Sequence, residues 1–510
     1  MLTTQEKIKS LDILEAESRQ LVKGGKCVVL CHGTFDLIHT GHIRHLQEAK
    51  RQGDILFVTI TADKYVNKGP DRPVFSEILR AENLSALSCV DYVGIIDSQT
   101  AEEPILRIKP RVYAKGNEYK NAADDLTGKI TKEKQLVEKF NGKIYFTNDI
   151  TFSSSNLLNE HFGVFPPKIK SYLNTFKKKY SSDQIIKMLR SLESLNVLVV
   201  GDAIVDEYHY VEALGQSGKG MNMSVKFSSQ EQFAGGSLAI ANHVAGFVKD
   251  VTVVGGLGEQ EGHEEFVRSK LKQNVHPEFF YFQDAPTVVK RRYVDTDLSK
   301  LFEVYFYNDH SSSEYIDNKV CSWLEKNTAK FDVVIVPDFG NGFISSGMIQ
   351  KLCKHARFLA VNTQLNSGNR GYHSINQYPR ADFVSLNTPE LRIATHDRHG
   401  SVENLAKKII GQLEAKYLSV TLGSEGALLL NKSPEKIYRT PALSTQVLDR
   451  IGAGDTFLSL AGLCLGGNLS SEVALFVGSA AAALDVQVVC NRETTIPVNL
   501  YKYIKTLLKS

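Results

Sequence analysis

The sequence predicts an α/β protein in which two doubly wound parallel sheets follow one another along the chain. Three observations carry this. Short apolar strands alternate with helical stretches through most of the sequence, the pattern of a parallel sheet covered on both faces. The rhythm breaks at Phe165-Pro166-Pro167 and restarts with a new apolar strand at Asn196. A chain of 510 residues is also too long for one hydrophobic core.

A capping box of Thr3 and Glu6 opens a helix that carries Ile8, Leu11 and Leu14 on one side and ends at Gly24-Gly25. Lys26–Leu30 is then a short buried strand, followed by a histidine-rich turn and a helix from about His42 to Gln52. Strands are expected at Asp54–Thr61, Tyr92–Ile96 and Arg111–Ala114, separated by helices at Glu77–Leu87 and Ala101–Ile108. This run makes a first domain over residues 1–160. Residues 161–195, lysine-rich and amphipathic, read as a linker. The second domain, 196–510, starts with the strand Asn196–Val200. Two stretches, Tyr208–Gln232 and Thr287–Tyr307, alternate in character and read as a small antiparallel flap. From Phe331 the strand–helix rhythm returns until a C-terminal helix.

Composition excludes several classes. A formal charge of +3 is too near neutral to suggest nucleic acid or an acidic membrane surface as partner. Seven scattered cysteines without metal-type spacing fit free thiols in a reducing, cytoplasmic setting. The first ten residues are polar and do not read as a signal peptide. The apolar run Val473–Leu484 is too short for a bilayer and reads as a buried helix.

Two stretches carry chemistry. In Gly33-Thr34-Phe35-Asp36-Leu37-Ile38-His39-Thr40-Gly41-His42 a strand runs into a helix with two imidazoles at the turn. Helix starts offer unpaired N–H groups and partial positive charge to an anion. The imidazoles add donors, and Gly41 permits close backbone approach. His39, His42 and His45 lack a convergent carboxylate or thiolate, so the spacing does not suit zinc. The string resembles the signature of the cytidylyltransferase-like nucleotidyltransferases. That resemblance implies a Rossmann-like fold over residues 25–160 and nucleotidyl transfer from ATP or CTP to an acceptor phosphate. It makes His39, His42 and Lys115 catalytic, with Gly33, Thr34, Phe35, Gly41, Ser153, Ser154 and Ser155 on the nucleotide's phosphates. Arg72 and Arg80 are expected to reach acceptor or nucleotide.

The second stretch is Gly452-Ala453-Gly454-Asp455, where small residues let backbone N–H groups converge on an anion and an aspartate can take a proton. Gly201-Asp202, Asp206, Gly235-Gly236, Asn387-Thr388-Pro389-Glu390 and Thr421–Ala427 precede it in order. Together they resemble the ribokinase-like (phosphofructokinase-B) sugar kinases over about 195–508. That implies Asp455 as base and Gly452, Ala453 and Gly454 on the moving phosphoryl. Asp206, Gly235 and Gly236 would meet the sugar, and Thr421, Gly423 and Gly426 the nucleotide. Asn387 and Glu390 would place Mg²⁺ through water, and the flap would be a β-lid that also pairs two chains as a homodimer. Ala239 stands where such kinases usually carry a sugar-binding asparagine, and Asn362-Thr363-Gln364 also departs from their pattern.

The pair of domains is similar to the bifunctional ADP-heptose synthase family, with the domain order reversed. It implies kinase and nucleotidyltransferase steps on a heptose-like sugar, with small molecules as partners. Two alternatives stay open. One is a polyol-phosphate cytidylyltransferase with its own kinase; the other is a nucleotidyltransferase whose second domain senses sugar without catalysing.

Overall fold

The computed structural model describes residues 3–66, 72–98, 100–117, 129–147, 165–217, 220–260, 262–283, 285–308, 314–369, 371–444 and 446–508. The chain forms two compact units. One comprises residues up to Lys177 together with those from Tyr501 onward; the other is Lys178–Leu500.

The first unit is built on β1 (Val28–Gly33), β2 (Ile55–Thr61), β3 (Tyr92–Ile96), β4 (Val112–Gly116) and β5 (Lys143–Thr147), all parallel in the order β3-β2-β1-β4-β5. Alternate strand residues feed two cores. Val29, Cys31 and Val58 pack with Leu46 and Ala49 of α3 (Thr40–Lys50) and with Ala81 and Leu84 of α4 (Glu77–Ser85). Val28, Leu30 and Phe57 pack with Leu14 of α2 (Leu11–Lys23), Ile105 of α5 (Glu102–Ile108) and Val137 of α6 (Lys129–Lys139). Helices therefore cover both faces. The order reverses between β1 and β4, which makes the crevice beyond their carboxyl ends the natural ligand position.

The single N-terminal helix expected from Thr3 is instead two. After α1 (Thr4–Lys7), Ile8 bridges to Val93 and Lys9 N–H donates to the Val93 carbonyl at 2.9 Å. Ser10 then caps α2 by accepting from the Ile13 N–H. The pull of an adjacent strand interrupts a continuous apolar stripe.

Residues expected to be a linker form α7 (Pro167–Phe176), with Ile169, Leu173 and Phe176 buried, and α8 (Ser182–Arg190), with Ile185, Ile186 and Leu189 buried. In the second unit a nine-stranded sheet runs β10-β9-β6-β13-β14-β15-β16-β17-β18. These are β6 (Asn196–Val200), β9 (Asp250–Gly258), β10 (Val275–Phe282), β13 (Val333–Asp338), β14 (Leu359–Thr363), β15 (Phe383–Asn387), β16 (Tyr417–Thr421), β17 (Ala427–Asn431) and β18 (Lys436–Thr440). Seven neighbouring strands are parallel, and β17 and β18 close the edge antiparallel. The flap is a separate four-stranded sheet, β12-β11-β7-β8, from β7 (Ala203–Gln216), β8 (Met223–Gly236), β11 (Val288–Val294) and β12 (Lys300–Phe306). Its two hairpins are antiparallel as expected, but they join through a parallel β7–β11 pair. The run expected to be a buried helix is α12 (Ser471–Asp485); before it, α11 (Ala453–Gly466) lies on the sheet, with Gly466 against Val333. Among the described residues no helix is long and apolar enough to cross a membrane.

Candidate functional sites

In the first unit the turn after β1 is held open by its own chemistry. Phe35 takes a left-handed conformation, φ +50°. The next residue, Asp36, is buried and accepts the Val74 and Phe75 N–H groups at 2.8 and 3.0 Å. His39 is the N-cap of α3, its Nδ1 accepting the Gly41 N–H at 3.1 Å. An accepting Nδ1 puts the proton of the neutral ring on Nε2. That Nε2 is buried without a partner, a donor awaiting an acceptor. Burial also holds the His39 pKa below its usual value. His42 stacks on it with ring centroids 4.0 Å apart, and its Nδ1 lies 3.1 Å from the Leu37 carbonyl, so Nδ1 carries a proton there. The two imidazoles are thus fixed by backbone partners with opposite roles at Nδ1, acceptor in His39 and donor in His42.

Lys115 is the last residue but one of β4, at the carboxyl end that borders the same crevice. Its Nζ is 3.2 Å from Glu133 of α6. Ser153, Ser154 and Ser155 lie outside the described residues. Two arginines require correction. Arg80 is fully buried; it donates to the carbonyls of Phe75, Thr34 and Thr61 and to Asp63. With its donors committed it braces the turn rather than meeting substrate. Arg72, its side chain 1% exposed, lies 3.3 Å from Asp36 and serves the same frame.

The second unit holds a cavity of about 690 Å³ that gathers most of the expected kinase residues. Asp206, Gly236, Asn387, Thr421, Gly423, Gly426, Gly452, Ala453, Gly454 and Asp455 all line it. Gly452 caps α11 at φ +97°, a conformation costly for any residue with a Cβ, and an added Cβ would lie 2.8 Å from Asp485 and 2.9 Å from Asn491. The turn and the first residues of α11 line the cavity. Asp455 in that first turn is half-buried; loss of water and the charge of Asp206 push its pKa up to about 7.

Asp206 is ion-paired with Arg292, which also reaches Glu303 at 3.2 Å. A Cβ on Gly235 would strike the Asp206 carboxylate, so Gly235 makes room for the acid without itself lining the cavity. Asn387 and Glu390 form a reciprocal capping box at the start of the helix Thr388–Thr395. Glu390 is buried, accepts the Asn387 and Leu365 N–H groups, and is pushed up to about 7 by burial. Ala239 is packed in the core, where it offers nothing to a sugar.

Sequence reasoning missed other groups here. Lys290, Arg292 and Gln364 line this cavity and a neighbouring one of about 860 Å³, which Arg398 also lines. Their signal is the register of two distant segments, which places Lys290 beside Asp206. Asp449 is another. It accepts Tyr208 Oη at 2.7 Å and Lys300 Nζ at 2.8 Å from the lid, and the Ile451 and Cys490 N–H groups at 3.1 Å each.

Comparison with known proteins agrees with both halves. Residues 194–497 match the family described as pfkB family carbohydrate kinase, and residues 30–188 match the family described as cytidylyltransferase-like. The chain is similar to the bifunctional protein HldE of Syntrophotalea carbinolica, 41% identical over 135 residues, which is 26% of this chain and 25% of that protein. It is similar to the bifunctional protein HldE of Nitratiruptor sp., 39% identical over 142 residues, 28% of this chain and 30% of that protein. The matched region thus spans only about a quarter to a third of these relatives' length. Among solved structures, ribokinase from Thermotoga maritima superposes with a TM-score of 0.50 at 18% identity, covering 61% of this chain and 99% of that one. Escherichia coli phosphofructokinase-2 in complex with potassium gives 0.50 at 16%, again covering 61% and 99%. At these identities the likeness is one of fold.

Proposed function

We infer a two-reaction enzyme of nucleotide-sugar formation from one premise: the chain belongs to the pfkB family of carbohydrate kinases and carries a cytidylyltransferase-like domain ahead of it. The second unit phosphorylates a heptose-like sugar or sugar phosphate with ATP. The first transfers a nucleotidyl group from ATP or CTP to a sugar phosphate and releases pyrophosphate.

The observation that carries the kinase reading is Asp455, a carboxyl with a pKa of about 7 in the first turn of a helix whose opening residues line the same cavity. The acceptor hydroxyl gives its proton to Asp455 while its oxygen bonds to the γ-phosphorus of ATP, and the bond from that phosphorus to the ADP oxygen breaks. The Gly452–Gly454 N–H groups take up charge on the moving group. Mg²⁺ supplies charge neutralisation on the phosphates. The described residues hold no cluster of three His, Cys, Asp or Glu. Asn387 and Glu390 would reach a phosphate-bound cation through water. Arg398 at the second cavity favours an acceptor that already bears a phosphate.

In the first unit an acceptor phosphate oxygen bonds to the α-phosphorus of the nucleotide, and the bond to the departing pyrophosphate breaks. The protein's part is positioning and charge stabilisation by His39 Nε2, His42 and Lys115. Exposed apolar side chains on the lid, Leu214, Met223, Phe227 and Phe302, support pairing of two chains through that sheet. Seven free thiols support a cytoplasmic setting.

The test is a screen of ATP and CTP against heptose, hexose and polyol phosphates, reading ADP and pyrophosphate separately. The reading requires both products with the same sugar series. Pyrophosphate with a polyol phosphate and CTP alone would replace it with the cytidylyltransferase alternative.

A further inference from the structure

Lys290 lines both kinase cavities and is only 5% exposed. A buried ammonium is costly unless it is paired. Among the described residues this one has no hydrogen-bond or ion-pair partner. Its Nζ lies only over the rings of Tyr305 and Phe339, 5.5 and 5.3 Å from their centroids. The acid beside it in register, Asp206, is committed to Arg292, and Arg292 is shared with Glu303. Of the other cations around the two cavities, Arg450 and Arg398 are exposed. Lys290 is therefore the one desolvated, uncommitted positive charge in this lining, and it shares its cavity with Asp455 and the Gly452–Gly454 turn.

We propose that Lys290 is a catalytic residue of the kinase reaction, its ammonium binding the phosphoryl group in transit between ATP and the acceptor. This rests on the kinase reading above. As the acceptor oxygen bonds to phosphorus and the bond to ADP breaks, charge is spread over the three peripheral oxygens of the group in flight. The α11 N–H groups meet it from one side, and Lys290 donates to it from the lid. Burial pulls the Lys290 pKa down, and the carboxylates of Asp206, Asp202 and Asp455 oppose that pull. An anion arriving in the cavity supplies the partner the side chain lacks. The charge acts in a low-dielectric site, where an aimed donor is worth most. Because Lys290 sits on β11 of the lid sheet, a lid that closes over the acceptor also delivers this charge.

The probe is orthovanadate, a mimic of the phosphoryl group, titrated by calorimetry into the full-length chain saturated with ADP and Mg²⁺. A His42→Ala background weakens phosphate contact in the first unit. In that background Lys290→Met is expected to weaken vanadate binding about 100-fold, the loss typical of one such donor. ADP affinity measured without vanadate stays within about twofold, and Lys290→Arg, which restores the charge, recovers part of the vanadate affinity. Lys290→Met should also melt no lower than its parent, because an unpaired buried charge is removed. Unchanged vanadate affinity would overturn the proposal, and so would a lower melting temperature with vanadate and ADP binding weakened alike. If the parent protein binds no vanadate and Asp455→Asn changes nothing, the kinase reading itself fails.

Discussion

At Asp455 the raised pKa gives the kinase reaction a pH signature. A base must be ionised to take the acceptor's proton. With the carboxyl at about 7, kcat should rise about tenfold per pH step up to neutrality and level off above it, read from a pH–rate profile. Asp485 offers a stability counterpart. It is 3% exposed, and burial pushes its pKa up to about 8 from an ordinary 3.8. The folded state therefore binds the proton more tightly than the unfolded state. Stability from this group falls as pH rises between those two values. Asp485→Asn should raise the melting temperature at pH 8.5 by about 3 °C or more and leave it unchanged near pH 4. At this scale the sequence was legible in where a local string lies: His39 caps a helix start, and Gly452–Asp455 lines a cavity. Arg80 misled because its partners, the carbonyls of Thr34 and Thr61, come from other segments that no local pattern reveals.

Elements decide whether those residues can act. Gly235 lies on β8 behind Asp206, and any side chain there would displace the acid. Gly235→Ala should raise the acceptor KM at least about tenfold while pyrophosphate release by the first unit is unchanged. Two lid strands are tied to the approach to the anion-binding turn through Asp449, by Tyr208 from β7 and Lys300 from β12. Lys300→Met should speed hydrogen exchange in β12 without altering exchange in β13, since a half-buried ion pair is lost only at the lid. The strands themselves were legible from apolar alternation. Their spatial order was not, and neither was the parallel β7–β11 pair, because pairing depends on crossovers between segments some eighty residues apart. The split of the first helix shows the same limit: its cause is Val93, far along the chain.

Over the whole molecule two compact units each carry one of the proposed phosphate-handling turns at a helix start. The two-domain plan was legible because the strand–helix rhythm breaks once and resumes. The boundary was not, since α7 and α8 bury apolar faces, as packed helices do, in a stretch whose composition suggested a tether. The central claim is that two independent sites operate in one chain. It is tested most directly by measuring ADP and pyrophosphate release side by side in the wild type, His42→Ala and Asp455→Asn. His42→Ala should lower pyrophosphate release about 100-fold with ADP release intact, and Asp455→Asn should do the reverse. Loss of both products in either variant would contradict the account.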